Sequence, residues 1–167
     1  MSESFDIVQY LDKQYPSSPL VITPGTLAFE TAYYKYLDKE VRAKWPSLVN
    51  LYLYETISPK SAIFLKELRE AAFGDTLENL AKNPQLQWDA YKDAFTRAAL
   101  PIYEKAEGAF LKGNEPGWSD FVTSAALLSM KLLYGADSKE WKYIETWDNG
   151  RWIKLIKDLE PYGYIDE

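Results

Sequence analysis

The chain has 167 residues, enough for one domain with its own core, and its 47% hydrophobic and 26% charged residues place it among globular rather than disordered proteins. A net charge of −6 argues against nucleic acid and anionic membranes as partners, since both require basic surface. Cys and His are absent, which excludes disulfides, thiolate and Ser-His nucleophiles and the usual metal-ligand sets, so no metal site is expected and carboxylates, lysines and phenols remain as acid–base groups.

Residues 4–15 predict a short amphipathic helix with Phe5, Ile7, Val8, Leu11 and Tyr15 as its apolar positions. Pro16 ends it, and the three prolines and the Ser pair of residues 16–25 read as an extended linker. Helical spacing resumes near Thr26 and runs to Pro46, which is expected to kink or break it. In this stretch Leu27, Tyr34, Leu37 and Val41 fall on one face, and Phe29, Tyr33 and Tyr36 on another. A surface helix needs one apolar stripe; two imply that the helix packs on a core and also borders a cleft or a subunit contact.

Ser58-Pro59 reads as an N-cap with Pro at the first helical position, and Gly74 as the stop of that helix. Asp75 to Glu78 has the spacing of a capping box. Asn83-Pro84 opens a further helix with Trp88, Tyr91, Phe95 and Ala98 turned inward, and Pro101 should bend it. Gly113–Gly117 is a loop. Residues 118–133 are apolar nearly all round, as befits the centre of a bundle. A second capping box at Asp137–Glu140 opens a helix carrying Trp141, Ile144 and Trp147, with Asn149-Gly150 as its end. Trp152, Leu155, Ile156 and Leu159 form the last stripe. No strand hairpin is signalled, so the expected class is all-α, a helical bundle. No segment has the length of a membrane span, and a cytoplasmic protein is expected.

Three segments, in order, carry a resemblance. ESFDIVQYLDKQYP (residues 3–16) resembles the last helix of the thioredoxin-like domain of glutathione S-transferases, and FLKGNEPGWSDF (residues 110–121) resembles the start of that family's central helix. EWKYIETWDNGRWIKLIKDLE (residues 140–160) is similar to the fungal, etherase-like branch. The resemblance implies a remnant last helix at 1–15, a linker at 16–25 and a C-terminal-type helical domain at 26–167, with most of the thioredoxin-like domain and its catalytic residue lacking. It carries over Glu3 and Ser4 as vestigial contacts to the γ-glutamyl end of glutathione. The plain alternative is that Ser4 only caps its helix. Gly117 stands where the family usually has Ser or Thr as N-cap, and Asp120 keeps the other half of the capping box.

The same resemblance makes the helix with two apolar faces a border of the substrate cleft, which nominates Phe29, Glu30, Tyr33, Tyr34, Tyr36 and Leu37 as substrate-binding residues. For the tyrosines the alternative is core and dimer contact, and for Glu30 a solvated helix position. The expected function is to bind an apolar small molecule without a required cofactor, glutathione being doubtful, with glutathione-independent isomerisation or cyclisation in secondary metabolism as the chemistry that such a cavity suits. The competing readings are a non-catalytic interaction or dimerisation module and a truncated transferase. A homodimer or a partner protein is expected, because apolar surface without cover is uncommon on monomers.

Overall fold

Local capping explains where most helices begin. In the computed structural model, which describes residues 3–80 and 82–163 apart from the side chains of 50, 51, 53–55, 73 and 80, ten α-helices follow one another, and no strand forms among the described residues. They are α1 (Ser4–Gln14), α2 (Leu27–Glu40), α3 (Trp45–Thr56), α4 (Pro59–Phe73), α5 (Leu77–Leu80), α6 (Pro84–Ala98), α7 (Leu100–Tyr103), α8 (Trp118–Tyr134), α9 (Lys139–Glu145) and α10 (Arg151–Leu159). Ser58, Asn83 and Ser138 each accept a backbone N–H three residues on, at 3.3, 3.2 and 3.1 Å, and so cap α4, α6 and α9. Gly74 closes α4 in the left-handed region at φ 69°, a conformation that costs a residue with a Cβ.

Three local expectations are corrected. Pro46 does not break a helix: α2 ends at Glu40, a 3₁₀ turn covers Arg42–Lys44, and Pro46 lies in the first turn of α3, where its missing N–H is not needed. Before α5 the cap is Thr76, whose hydroxyl accepts Asn79 N–H at 3.1 Å, while Glu78 pairs with Lys66 at 2.6 Å. Asn149-Gly150 does not end α9, which stops at Glu145; Asp148 and Asn149 take left-handed φ values of 48° and 57° in the turn that leads into α10.

α8 is the axis of the bundle and packs against α2, α9 and α10, while α6 packs against α2 and α3. Its buried positions are Trp118, Leu127 and Met130 together with four polar residues near its start, Ser119, Asp120, Thr123 and Ser124. Leu132, although part of the apolar run, is 85% exposed. The core is aromatic. Tyr91, Phe95, Tyr103, Trp147 and Trp152 are enclosed, and edge-to-face contacts join Phe95 to Trp152 at 5.2 Å and Tyr103 to Trp152 at 5.4 Å. Among the described residues no helix is long and apolar enough to cross a membrane.

Candidate ligand-binding site

α2 divides its residues between core, cavity and solvent. Glu30, Tyr33 and Leu37 recur at three- and four-residue spacing and are buried. Tyr34 stands beside this stripe and is half-buried, while Phe29 and Tyr36 lie on the outer side and are exposed. The six nominated residues of this helix therefore do not share one surface.

A cavity of about 440 Å³ opens between the start of α1, α2 and α8. Its walls are Ser4, Tyr34, Arg42, Trp45, Trp118, Phe121, Val122, Ala125, Ala126 and Ser129. Tyr34 and Ser4 are the two nominated residues that it brings together. Trp118, Phe121 and Val122 enter as members of the first turns of α8, one side of which lines the cavity while the other is core. The sequence marks them as apolar but does not say which side they take. Trp45 is held by its indole N–H, which donates to the Ser129 hydroxyl at 3.1 Å. Arg42, the charged residue of the wall, pairs with Asp38 at 3.0 Å.

Three rings meet beside the cavity, two of them, Tyr34 and Trp118, in its wall. Phe5 lies 5.6 Å from Tyr34 and 5.5 Å from Trp118, and Tyr34 meets Trp118 edge-on at 5.9 Å. α1 is docked through Phe5 and through Asp12, whose carboxylate accepts the N–H groups of Val21 at 3.2 Å and Ile22 at 2.8 Å. At the start of α1 the Glu3 side chain makes no capping bond, and among the described residues no side-chain acceptor is seen on the first-turn N–H groups near Ser4. The indole N–H of Trp118 is buried and has no hydrogen-bond partner among the described residues.

Behind Trp118 lies a buried polar group. Glu30 accepts the N–H of Ser119 at 2.8 Å and also the Ser119 hydroxyl. Asp120 accepts Gly117 N–H at 2.9 Å, Leu111 N–H at 3.2 Å and the Tyr103 hydroxyl at 3.0 Å. Tyr33 shares a 2.8 Å bond with the Thr123 hydroxyl. Burial pushes the Glu30 and Asp120 carboxyls above their ordinary values, against hydrogen bonds that favour the charged forms. Burial also drives the Tyr33 and Tyr103 phenols upward, so neither ionises in the physiological range. Glu30, for which a solvated helix position was the alternative, is instead wholly buried, and it accepts from the backbone and hydroxyl of Ser119. Among the described residues no three Asp or Glu side chains gather as a metal site would need.

The sequence model of the family described as glutathione S-transferase, C-terminal domain, matches residues 28–162. No curated protein matches the chain. Among solved structures, the glutathione S-transferase CsGST83044 of Ceriporiopsis subvermispora, in complex with glutathione, is similar at 30% identity and a TM-score of 0.84, over 96% of this chain and 66% of its own. CsGST63524 of the same fungus, also in complex with glutathione, matches at 28% identity and 0.85, over 99% and 68%. The glutathione transferase GSTFuA2 of Phanerochaete chrysosporium, at 22% identity and 0.86 over 99% and 67%, shares the fold. The chain thus spans about two thirds of the length of the solved structures it matches.

Proposed function

The chain belongs to the glutathione S-transferase family through its C-terminal domain, and from that premise we propose that it binds an apolar, flat small molecule in the cavity between α1, α2 and α8. The observation that carries this reading is the wall itself: Tyr34, Trp45, Trp118 and Phe121 line an open cavity of about 440 Å³, the size and character of a small-molecule site. Isomerisation or cyclisation without glutathione is the chemistry this reading admits, because it needs shape and one or two hydrogen bonds; Tyr34 brings a phenol to the wall. A cytoplasmic location belongs to the same reading.

Glutathione fits one end of the site. Among the described residues the first-turn N–H groups of α1 lack a side-chain cap, and such a helix start favours an anion. In this reading α1 is the last helix of a thioredoxin-like domain, and Glu3 and Ser4 would hold the γ-glutamyl end. Bound glutathione would supply a thiol. Calorimetry should detect no binding tighter than about 1 mM to the chain as it stands, since the resemblance carries over contacts at this end alone.

The test of the cavity is a fluorescence titration with N-phenyl-1-naphthylamine, a neutral aromatic probe. The parent should bind one saturable equivalent. Ala125→Trp, at an exposed wall position, should block it without unfolding the protein. No saturable binding, or binding untouched by Ala125→Trp, overturns the reading.

A second reading rests on a different surface. On α4 Ile63, Phe64 and Leu68 are exposed, Phe64 by 67%, and lie at helical spacing, so that this face would serve a second copy or another protein. Sedimentation at micromolar concentration tests it. Dimers lost on Phe64→Lys support it, and a monomeric parent defeats it.

A further inference from the structure

We propose that Glu30 and Gly117 act as a pair: the Glu30 carboxylate is the N-cap of α8, supplied from α2, and Gly117 has no side chain so that this carboxylate can stand where a Cβ would be. Through this cross-helix cap Glu30 is a positioning residue for the cavity wall, a point that rests on the reading of the cavity given above.

The backbone does not require glycine at position 117. Its φ of −119° and ψ of −179° are extended values that any residue adopts. Space requires it. A Cβ at Gly117 would lie 2.5 Å from Glu30 Oε1 and 2.7 Å from Lys112 Cε. Lys112 is half-buried and its Nζ donates to the Val21 carbonyl at 3.0 Å, so moving it aside breaks one bond. Glu30 is wholly buried and its Oε2 is held by two donors from Ser119, so although Oε1 has no partner among the described residues the carboxylate cannot leave without breaking both bonds.

Ser119 is the second residue of α8, and its N–H is one that an N-cap Ser or Thr at 117 would satisfy. Gly117 offers no acceptor, and Glu30 Oε2 takes the bond at 2.8 Å. The reciprocal half of the cap is present within α8, where Asp120 accepts Gly117 N–H. A buried carboxylate is a costly way to cap a helix when a serine would serve. The structure shows what the costlier solution adds. A local cap ties α8 to itself, whereas Glu30 ties α8 to α2. Tyr34 is one turn beyond Glu30, and Trp118 follows Gly117 directly, so the bond from Glu30 to Ser119 fixes the 5.9 Å spacing of these two walls.

The experiment compares Glu30→Ala, Glu30→Gln, Gly117→Ser and the double variant Glu30→Ala with Gly117→Ser. Two readouts are taken, Tm and N-phenyl-1-naphthylamine affinity well below Tm. Glu30→Ala should lower Tm by about 5 °C, the effect of a lost cap in a chain of this size. Glu30→Gln keeps an acceptor and should stay within about 2 °C of the parent. Gly117→Ser alone should fall at least as far as Glu30→Ala, because the serine meets Oε1. In the double variant the serine occupies the vacated space and caps α8 locally, so its Tm should exceed that of both single variants. If Gly117→Ser does not fold, the double variant against Glu30→Ala carries the same comparison. A double variant no more stable than Glu30→Ala overturns the exchange.

Probe affinity separates capping from positioning. It should drop about tenfold in Glu30→Ala and remain low in the double variant, because the local cap does not restore the tie to α2. Affinity that returns together with Tm overturns the positioning role and leaves the cap exchange standing. A parent that does not bind the probe overturns the cavity reading, and the Tm comparison still decides the cap.

Discussion

Phe5, Tyr34 and Trp118 stand 5.5–5.9 Å apart beside an open cavity, while Phe95, Tyr103 and Trp152 meet at 5.2 and 5.4 Å and are almost wholly enclosed. The two assemblies use the same kinds of ring. In the enclosed one the polar tips are satisfied within the chain: Trp152 donates to Asp148 at 2.5 Å and Tyr103 to Asp120 at 3.0 Å. In the open one the Trp118 indole N–H has no partner among the described residues. An unpartnered indole does not by itself separate the two, since the N–H of Trp147 in the core also has no partner among the described residues; what separates them is that Tyr34 and Trp118 line a cavity whereas the enclosed rings are covered by other side chains.

The sharpest way to break this contrast is to remove one ring from each assembly. Trp152→Ala should cost about 3–5 kcal/mol in denaturant unfolding, because the surrounding core cannot close over the space. Tyr34→Ala should cost clearly less, since the ring is half-buried, but should abolish probe binding. Equal losses of stability from the two would show that the cavity wall is core.

Hydroxyl removal gives a finer contrast. Tyr33→Phe loses a buried bond to Thr123 and should cost about 1 kcal/mol, with ligand binding unchanged. Tyr34→Phe should leave the melting temperature near that of the parent and weaken binding by about 1–3 kcal/mol if its hydroxyl meets the ligand. Probe affinities that move for Tyr33→Phe and not for Tyr34→Phe would exchange the roles assigned to these neighbours.

The polar group behind the cavity has a signature in pH. Glu30 and Asp120 have folded-state pKa values above their ordinary 4.5 and 3.8, chiefly through burial. The folded protein thus holds these protons more tightly than the unfolded chain. Their contribution to stability is fully present below the ordinary values and is lost as pH rises through the raised ones. Lys112, which faces both acids, moderates the loss. Glu30→Gln removes the share due to Glu30, so its urea midpoint relative to the parent should rise as pH increases from the ordinary carboxyl value through the raised one. A constant difference across that range would mean that Glu30 does not titrate in it. Smallest of all, Lys154→Ala should change stability by no more than about 0.5 kcal/mol, because its 2.5 Å pair with Asp158 is solvent-exposed on the lysine side.

What local chemistry controls was legible in the sequence. The caps at Ser58, Asn83 and Ser138, the stop at Gly74 and the all-α class depend on side chains within a few residues of the groups they serve. Pro46 was misjudged because the same ring that breaks a helix interior is welcome in a first turn, and the sequence does not say which turn it occupies. The family motif at 110–121 also announced the long central helix. The tertiary structure alone decided which side of α2 and α8 faces the core. A carboxylate in an apolar stripe reads as a gap, so the pattern was divided between two flanking faces. The true stripe of Glu30, Tyr33 and Leu37 runs between them because Glu30 finds donors 89 residues away on Ser119. The cavity is likewise non-local: Ser4, Tyr34 and Trp118 become neighbours only when α1, α2 and α8 pack, and helical period sets which residues share a face but not which face another helix will cover.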